Sequence, residues 1–363
     1  MPVANKTLTA IDLFSGAGGL SLGLKKAGFK VLAAIEVNPK IAKTYAANHK
    51  DTELIIRDIR DVTGKEILQN IGLNEIDLIA GCPPCQGFSS LTYKYKREDP
   101  RNNLVLEMAR LIEEIKPKMI MMENVPGLDG RGKPILDEFV KRIEDVGYKV
   151  NKSILQLANY GIPQSRRRLV LLAGLGFEIS IPTPTHNCKG KNGLKPWLTL
   201  REVLKKMKKP VTLAQAQKNG GPKKFNWHVT RDLSEVSMAR MKILTAGASR
   251  FSLPKALRPK CHVNSEEGFS NVYGRMSWNQ IPPTITTGCT TPCKGRFGHP
   301  DEPRTISVRE AALIQTFPMN YKFETDYMDT ACELIGNALP PKFAKNVAKH
   351  ILTFSRKIGD LNV

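Results

Sequence analysis

Residues 8–28 read Leu8-Thr-Ala-Ile-Asp-Leu-Phe14 and then Ser15-Gly-Ala-Gly-Gly-Leu-Ser-Leu-Gly23-Leu-Lys-Lys-Ala-Gly28. The first seven are a compact apolar run with β-branched residues, a strand signal. The glycines that follow permit a tight turn and close approach of a ligand to the backbone. A helix is then expected from about Gly19 to Ala27, closed by Gly28. Strand, glycine turn and helix in this order open a βαβ unit, and the rhythm continues downstream. Strands are expected over Lys30 to Glu36, Glu53 to Ile56, Ile76 to Ala80, Lys118 to Met122 and Leu169 to Ala173. Helices are expected from Asn38-Pro39 through Asn48, over Asn103 to Lys116 with Pro117 as the stop, and over Leu136 to Val146. Such alternation predicts an α/β fold with a doubly wound, mostly parallel sheet.

The rhythm stops near Pro182-Thr-Pro184. From there to about Thr305 the chain is basic, richer in Gly and Pro, and only weakly periodic, as expected of a second, smaller inserted domain. Helical pattern returns over Ser307 to Gln315 and Lys342 to Phe354. The expected division is 1–182 plus 325–363 for the first domain, with 183–324 as the inserted domain and hinge.

Composition narrows the partners. The chain of 363 residues carries a formal net charge of +21. The excess is concentrated: residues 186–260 hold about 18 Lys and Arg against about 3 acidic residues. A block of that sign points to a polyanion, with nucleic acid first. No apolar stretch approaches the roughly 20 residues of a membrane span, and Met1 to Thr7 has no signal-peptide core, so a cytoplasmic, nucleoid-associated protein is expected. Seven cysteines are unevenly spread; in a reducing compartment they are expected as free thiols. Cys82/Cys85 and Cys289/Cys293 mimic a zinc pattern only loosely, and no metal is expected.

In doubly wound sheets, ligands sit beyond the carboxyl ends of the strands. The residues there are Phe14 to Gly19, Glu36, Asp58, Cys85 and Glu123, each after a different strand. The glycine turn lacks the third glycine of a dinucleotide fingerprint, since Ser21 follows Gly16 and Gly18 at that spacing. This lowers the case for NAD and leaves other adenosyl ligands open. Glu36, 20 residues beyond Gly16, is placed to take ribose hydroxyls, and Asp58 to accept from an adenine amino group. Cys85, within Gly81-Cys-Pro-Pro-Cys-Gln-Gly-Phe-Ser-Ser90, follows a buried strand at the mouth of a loop, where a thiolate nucleophile would be exposed.

With these residues together the chain resembles the DNA (cytosine-5) methyltransferases. Asp12-Leu-Phe-Ser-Gly-Ala-Gly-Gly19 is similar to the family's cofactor loop and Pro83-Pro-Cys-Gln86 to its catalytic loop. Glu123-Asn-Val125 and Gln164-Ser-Arg-Arg-Arg168 resemble two further active-site motifs. Arg309-Glu-Ala-Ala-Leu-Ile-Gln-Thr-Phe-Pro318 and Gly336-Asn-Ala-Leu-Pro-Pro341 resemble the two near the C-terminus. They occur in the family's order and span nearly the whole chain. Cys82 falls on a variable site, Arg57 stands where glycine is common, and Leu339 replaces a common valine.

The resemblance implies a class I S-adenosylmethionine-dependent methyltransferase fold, Rossmann-like, with an inserted target-recognition domain. It implies sequence-specific methylation of double-stranded DNA by a prokaryotic or phage enzyme, either solitary or with a cognate restriction endonuclease, acting as a monomer. Cys85 would attack carbon 6 of a cytosine flipped out of the duplex, making carbon 5 nucleophilic toward the cofactor's methyl group. Glu123 would donate to N3, which near neutral pH requires a raised pKa. Arg166 would face the base and stabilise developing charge, with Arg168 supporting the site. Cofactor contacts carry over to Phe14, Gly16, Gly18, Glu36, Asp58, Ile59, Pro83, Leu104 and Asn337. The polar loop from Gln86 to about Asn102 resembles the loop that closes over DNA. Thr284 and Ile285 match the target-recognition domain's Thr-Ile pair, and Arg275 and Arg296 are candidates for base reading. A family branch that methylates tRNA and a silent DNA-binding relative are the alternatives. The long basic segment after Arg168 favours DNA, and the intact Cys85, Glu123 and glycine loop favour an enzyme.

Overall fold

The computed structural model describes residues 7–84, 103–259 and 271–361. Cys85 and the rest of the loop to Asn102 lie outside the described residues. The chain divides into two compact units. Unit 1 comprises 1–160, 167–184 and 339–363; unit 2 comprises 161–166 and 185–338. The expected division placed 161–166 and 325–338 with the first domain; both segments pack within unit 2.

Unit 1 is built on a seven-stranded sheet. Its strands are β1 (Thr9–Leu13), β2 (Lys30–Ile35), β3 (Glu53–Ile55), β4 (Leu78–Gly81), β5 (Met119–Asn124), β6 (Tyr148–Gln156) and β7 (Arg167–Leu175). The order is β3-β2-β1-β4-β5-β7-β6. β1 to β5 pair in parallel, whereas β7 runs antiparallel to both β5 and β6. The expected doubly wound, mostly parallel sheet is therefore present. Its topological switch lies between β1 and β4, where ligands collect in such sheets.

The sheet carries apolar residues on both faces, which is why its strands read as continuous apolar runs. On one face Ile11, Leu13, Ile79, Ile120, Met122, Leu169 and Leu171 join one core cluster. To it α4 (Leu104–Ile115) adds Val105, Met108 and Ile112, and α5 (Lys133–Asp145) adds Leu136, Phe139 and Ile143. In between, α1 (Gly19–Ala27), α2 (Pro39–Asn48) and α3 (Gly64–Ile71) complete the βα units. The C-terminal helix, Pro341–Leu361, packs along α1. The two approach so closely at Gly23 that a β-carbon there would sit 2.3 Å from the Ala344 β-carbon. α1 ends as expected: Gly28 takes φ 115° and donates its N–H to the carbonyls of Leu24 and Lys25. Two elements of unit 1 went unexpected. α3 is short, and β6 interleaves polar residues at the sheet edge without an apolar run.

Unit 2 has little regular structure: α6 (Leu200–Leu204), α7 (Leu213–Lys218), α8 (Glu235–Ile243), α9 (Val308–Ile314), α10 (Met328–Asn337) and several two-residue bridges. Buried arginines do much of the work that strand ladders do elsewhere. Arg309 donates to the carbonyls of Asn226 (2.8 Å) and Tyr321 (2.9 Å), and burial lowers its pKa to about 10. Arg304 forms a buried two-bond pair with Glu310, at 2.7 and 3.0 Å.

Arg275 requires a correction. Expected as a reader of bases, it is only 6% exposed. Its guanidinium donates to the carbonyls of His299 (2.7 Å), Met241 (3.1 Å) and Leu244 (2.7 Å). A side chain committed to three backbone carbonyls pins loops and cannot reach a groove. Arg296 lies half-buried, its stem against Gly274.

Candidate active site

In unit 1 the candidate residues gather at the carboxyl ends of adjacent strands. Phe14 (φ 61°), Gly16 (φ 54°) and Gly18 (φ 83°) all take left-handed backbone angles. For Phe14 this conformation is costly, and the turn is held by Ser15 N–H to Ile35 O (2.9 Å) and Gly18 N–H to Ser15 O (2.8 Å). Glu36, at the end of β2, reaches into the same turn. Its Oε2 accepts the Gly16 N–H (2.9 Å) and its Oε1 the Asn38 N–H (2.8 Å). The carboxylate is thereby aimed, and burial raises its pKa despite those donors.

Beneath the turn, Asp12 is fully buried. Its Oδ2 accepts from the Ser21 N–H (3.1 Å) and hydroxyl (2.6 Å), and the hydroxyl of Ser21 in turn meets that of Tyr45 (2.7 Å). Burial pushes Asp12 up to about 7. Asp12 Oδ1 and Ser15 Oγ are buried without a hydrogen-bond partner in the protein. The sequence placed both within the cofactor-loop stretch without a role of their own, and it passed over Val37, an apolar side chain 60% exposed directly after Glu36. The signal for Val37 was available, since an apolar residue beside a ribose-type carboxylate suits a flat ring.

Asp58 caps the turn Ile59–Asp61 and is bound at both oxygens by Arg60. The Arg60 guanidinium holds the Asp58 carboxyl down at about 2. The pair is open to solvent, so its net worth is small. Ile59 is buried, and Phe14 and Leu104 pack on the core cluster.

Glu123 is 7% exposed at the end of β5. Arg168, on β7, sets its Nε 2.8 Å from Glu123 Oε1. β4 and β5 pair with Gly81 beside Met122, which places Cys82 beside Glu123. Burial, then the charges of Glu123 and Asp12, push the Cys82 thiol well above its ordinary range. Asn124 donates to the Pro83 carbonyl (3.0 Å) and accepts the Val125 N–H (2.7 Å), fixing the chain just before Cys85. At Gly81 a β-carbon would sit tightly against Met108 Sδ (3.1 Å) and Leu13 O (3.2 Å).

The two motif arginines separate. Arg166 was expected at the base with Arg168 behind it; the geometry reverses the emphasis. Arg168 meets the Glu123 carboxylate in unit 1. Arg166 belongs to unit 2, is 2% exposed, and donates to the carbonyls of Ile285 (3.0 Å) and Gly336 (3.3 Å). In unit 2, Ile285 is buried and its N–H donates to Gln164 Oε1 (3.0 Å), while the Thr284 hydroxyl donates to the Ser165 carbonyl. Both residues of that pair are tied to the 164–166 segment. Asn337 ends α10 with its side chain exposed.

A strand-end carboxylate facing a glycine turn, and a carboxylate–arginine pair three strands along the sheet from it, follow the order of motifs in one family. The family model for C-5 cytosine-specific DNA methylase matches residues 8–353. The chain belongs to that family. Type II methylase M.HgiDII of Herpetosiphon aurantiacus is 38% identical over 350 residues, covering 95% of each chain. Type II methyltransferase M1.HphI of Haemophilus parahaemolyticus is 31% identical over 353 residues, 95% of this chain and 87% of that one. Among solved structures, one assigned as a prophage-encoded DNA modification methyltransferase of E. coli superposes with a TM-score of 0.73. It covers 96% of this chain and 99% of that one at 23% identity, a likeness of fold. This C-5 cytosine-specific DNA methylase thus has the family's sheet and transfers methyl groups to cytosine in DNA. Among the described residues no helix is long and apolar enough to cross a membrane, and no cluster of His, Cys, Asp and Glu is arranged for a metal.

Proposed function

We propose that the chain is a sequence-specific type II DNA methylase of a restriction–modification system, using S-adenosylmethionine and a Cys85 nucleophile. The observation that carries this reading is the aimed Glu36 carboxylate over a left-handed Phe14–Gly18 turn, in a chain whose full-length relatives are type II enzymes.

The residues present fit the cofactor. Glu36 offers acceptors for ribose hydroxyls. Val37, Phe14 and Ile59 suit an adenine ring, with Asp58 free to exchange Arg60 for an amino group. The unpartnered oxygens of Asp12 and Ser15 suit a polar, cationic tail beneath the turn. Gly16, Gly18, Pro83, Leu104 and Asn337 complete the set by family resemblance. Bound there, S-adenosylmethionine supplies an electrophilic methyl group.

The protein's own side chains prepare the cytosine. Cys85 Sγ, as thiolate, forms a bond to carbon 6, and the ring's electron pair moves toward carbon 5 and N3. Glu123, held in place by Arg168, shares a proton with N3 as negative charge builds there. Asn124 holds the Pro83 carbonyl, just ahead of Cys85 in the chain. After methylation water takes the carbon 5 proton, that electron pair re-forms the carbon 5–carbon 6 double bond as the Cys85–carbon 6 bond breaks to restore the thiolate, and N3 returns its proton to Glu123. The target cytosine leaves the stack for this chemistry. The basic stretch of unit 2 supplies phosphate contacts, with Thr284 and Ile285 as part of the recognition framework and Arg296 as the remaining base-reading candidate.

A duplex carrying 5-fluorocytosine in the recognised sequence tests the step. Fluorine at carbon 5 cannot leave as a cation, so the Cys85 adduct should persist through denaturing electrophoresis when cofactor is present. The same mixture with Cys85→Ser should give none. A persistent adduct with Cys85→Ser would refute the assignment.

A further inference from the structure

The stretch from Val236 to Pro259 in unit 2 contains five Lys and Arg and no Asp or Glu. Three large apolar side chains are nonetheless left in solvent there: Val236, Ile243 (49% exposed) and Phe251 (38% exposed). Single exposed apolar residues need no explanation, whereas a group of them marks a contact surface. Val236 and Ile243 lie two turns apart on one face of α8. Arg240, between them on that face, is turned to the protein. Its Nε donates to the Leu257 carbonyl (2.7 Å), and its guanidinium lies 5.1 Å from the centroid of the Tyr273 ring. The first of these bonds ties the 255–257 turn to α8.

The segment carrying Phe251 is held as firmly. Ser249 Oγ caps the turn Arg250–Ser252 by accepting the Phe251 N–H (3.4 Å). Arg258 donates through Nε to Leu253 O (3.0 Å) and through Nη2 to Phe251 O (3.1 Å). The buried Arg250 sets its guanidinium 4.2 Å from the centroid of the Phe251 ring, a cation–π contact that orients the ring. Arg240, Arg250 and Arg258 are therefore committed to the framework, and they present Phe251 from a fixed backbone. The exposed cations of the stretch are Lys242 and Lys255. Lys242 lies directly before Ile243, and Lys255 opens the turn tied to α8.

An apolar patch edged by lysines, in a stretch without a carboxylate, is complementary to the major groove of duplex DNA. There the phosphates attract the lysines, and the one apolar group on the base edges is the thymine methyl. We propose that Ile243 and Phe251 are specificity-determining residues that contact thymine methyl groups of the recognised sequence, with Lys242 and Lys255 on the flanking phosphates. This rests on the reading above that the basic stretch of unit 2 binds DNA. It adds that the recognised sequence contains an A·T pair.

Equilibrium binding of the full chain to duplexes carrying the sequence it methylates, with each thymine in turn replaced by uracil, tests it without turnover. Uracil removes the methyl group, keeps every hydrogen-bonding group and leaves the protein untouched. At one thymine or more the replacement should weaken wild-type binding about 4-fold, the size of one buried methyl group. Phe251→Ala and Ile243→Ser, checked for folding by thermal melts, should each weaken binding to the thymine duplex. At least one of them should bind thymine and uracil duplexes equally, because the contact is then already lost. Neither should alter the salt slope, whereas Lys242→Gln with Lys255→Gln should make it shallower, by up to roughly 0.9 for each phosphate no longer neutralised. A recognised sequence without thymine, uracil tolerated at every position, a uracil penalty kept in both apolar variants, or an unchanged salt slope in the lysine variant would each overturn the proposal. A wild-type chain that bound no duplex would instead overturn the DNA reading of unit 2, and the proposal with it.

Discussion

Units 1 and 2 satisfy their buried backbone in opposite ways. In unit 1 the carbonyls and N–H groups meet in a seven-stranded ladder, leaving side chains at the strand ends free for chemistry. In unit 2 ladders are two residues long, and Arg166, Arg275, Arg304 and Arg309 reach inward to carbonyls or a buried carboxylate. Positive charge in unit 2 is therefore of two kinds. Part of it is internal framework, and part, such as Lys205, Lys206, Lys208 and Lys209, is exposed. Only the second kind is available to phosphate.

The largest expected effect comes from treating a framework arginine as if it were a surface one. Arg275→Met leaves three buried carbonyls without donors and should lower stability by about 3 kcal/mol or more. A thermal melt reads this directly. A normal melt with weakened DNA binding would return Arg275 to the reader set.

In unit 1 the matching weak point is packing. Gly23→Ala drives a methyl into Ala344 and the backbone N of Lys345, 2.7 Å away. Overpacking of this kind costs about 1–3 kcal/mol. Denaturant titration should show the loss with an unchanged slope, and no loss would mean that α1 and the C-terminal helix separate easily.

Changing Lys205, Lys206, Lys208 and Lys209 together to Gln should leave stability within about 0.5 kcal/mol. Duplex affinity should fall, and its dependence on salt should become shallower, by up to roughly 0.9 in slope for each phosphate no longer neutralised. An unchanged salt slope would place the DNA elsewhere.

A pH-dependent effect concerns Asp12. Its folded pKa, about 7, lies above the ordinary value of 3.8, so the folded chain holds a proton that the unfolded chain releases. Its contribution is present below about pH 4 and is lost as pH rises to about 7. Asp12→Asn should flatten that part of the stability profile, and an unaltered profile from pH 4 to 7 would show Asp12 ionised throughout.

These contrasts explain what the sequence disclosed. Ile11 to Leu13, Ile79 and Ile120 stand in apolar runs because both faces of the sheet are covered, and the strand-end residues follow from those runs. β6 escaped because Lys149, Asn151, Lys152 and Ser153 break any run at the sheet edge. α10 escaped because its ends carry no strong signal, and its C-terminus is capped by side chains from distant segments. The division of labour between Arg166 and Arg168 was out of reach for the same reason. Two arginines separated by one residue look alike until one is seen on Glu123 and the other on the carbonyls of Ile285 and Gly336.

The central claim is best tested by base-resolution bisulfite sequencing of DNA from a methylation-free bacterial host expressing the chain, with Cys85→Ser beside it. Protection at cytosines within one short shared motif, absent from the Cys85→Ser host, is the predicted result. Full conversion with soluble wild-type protein, or protection that survives Cys85→Ser, would contradict the account.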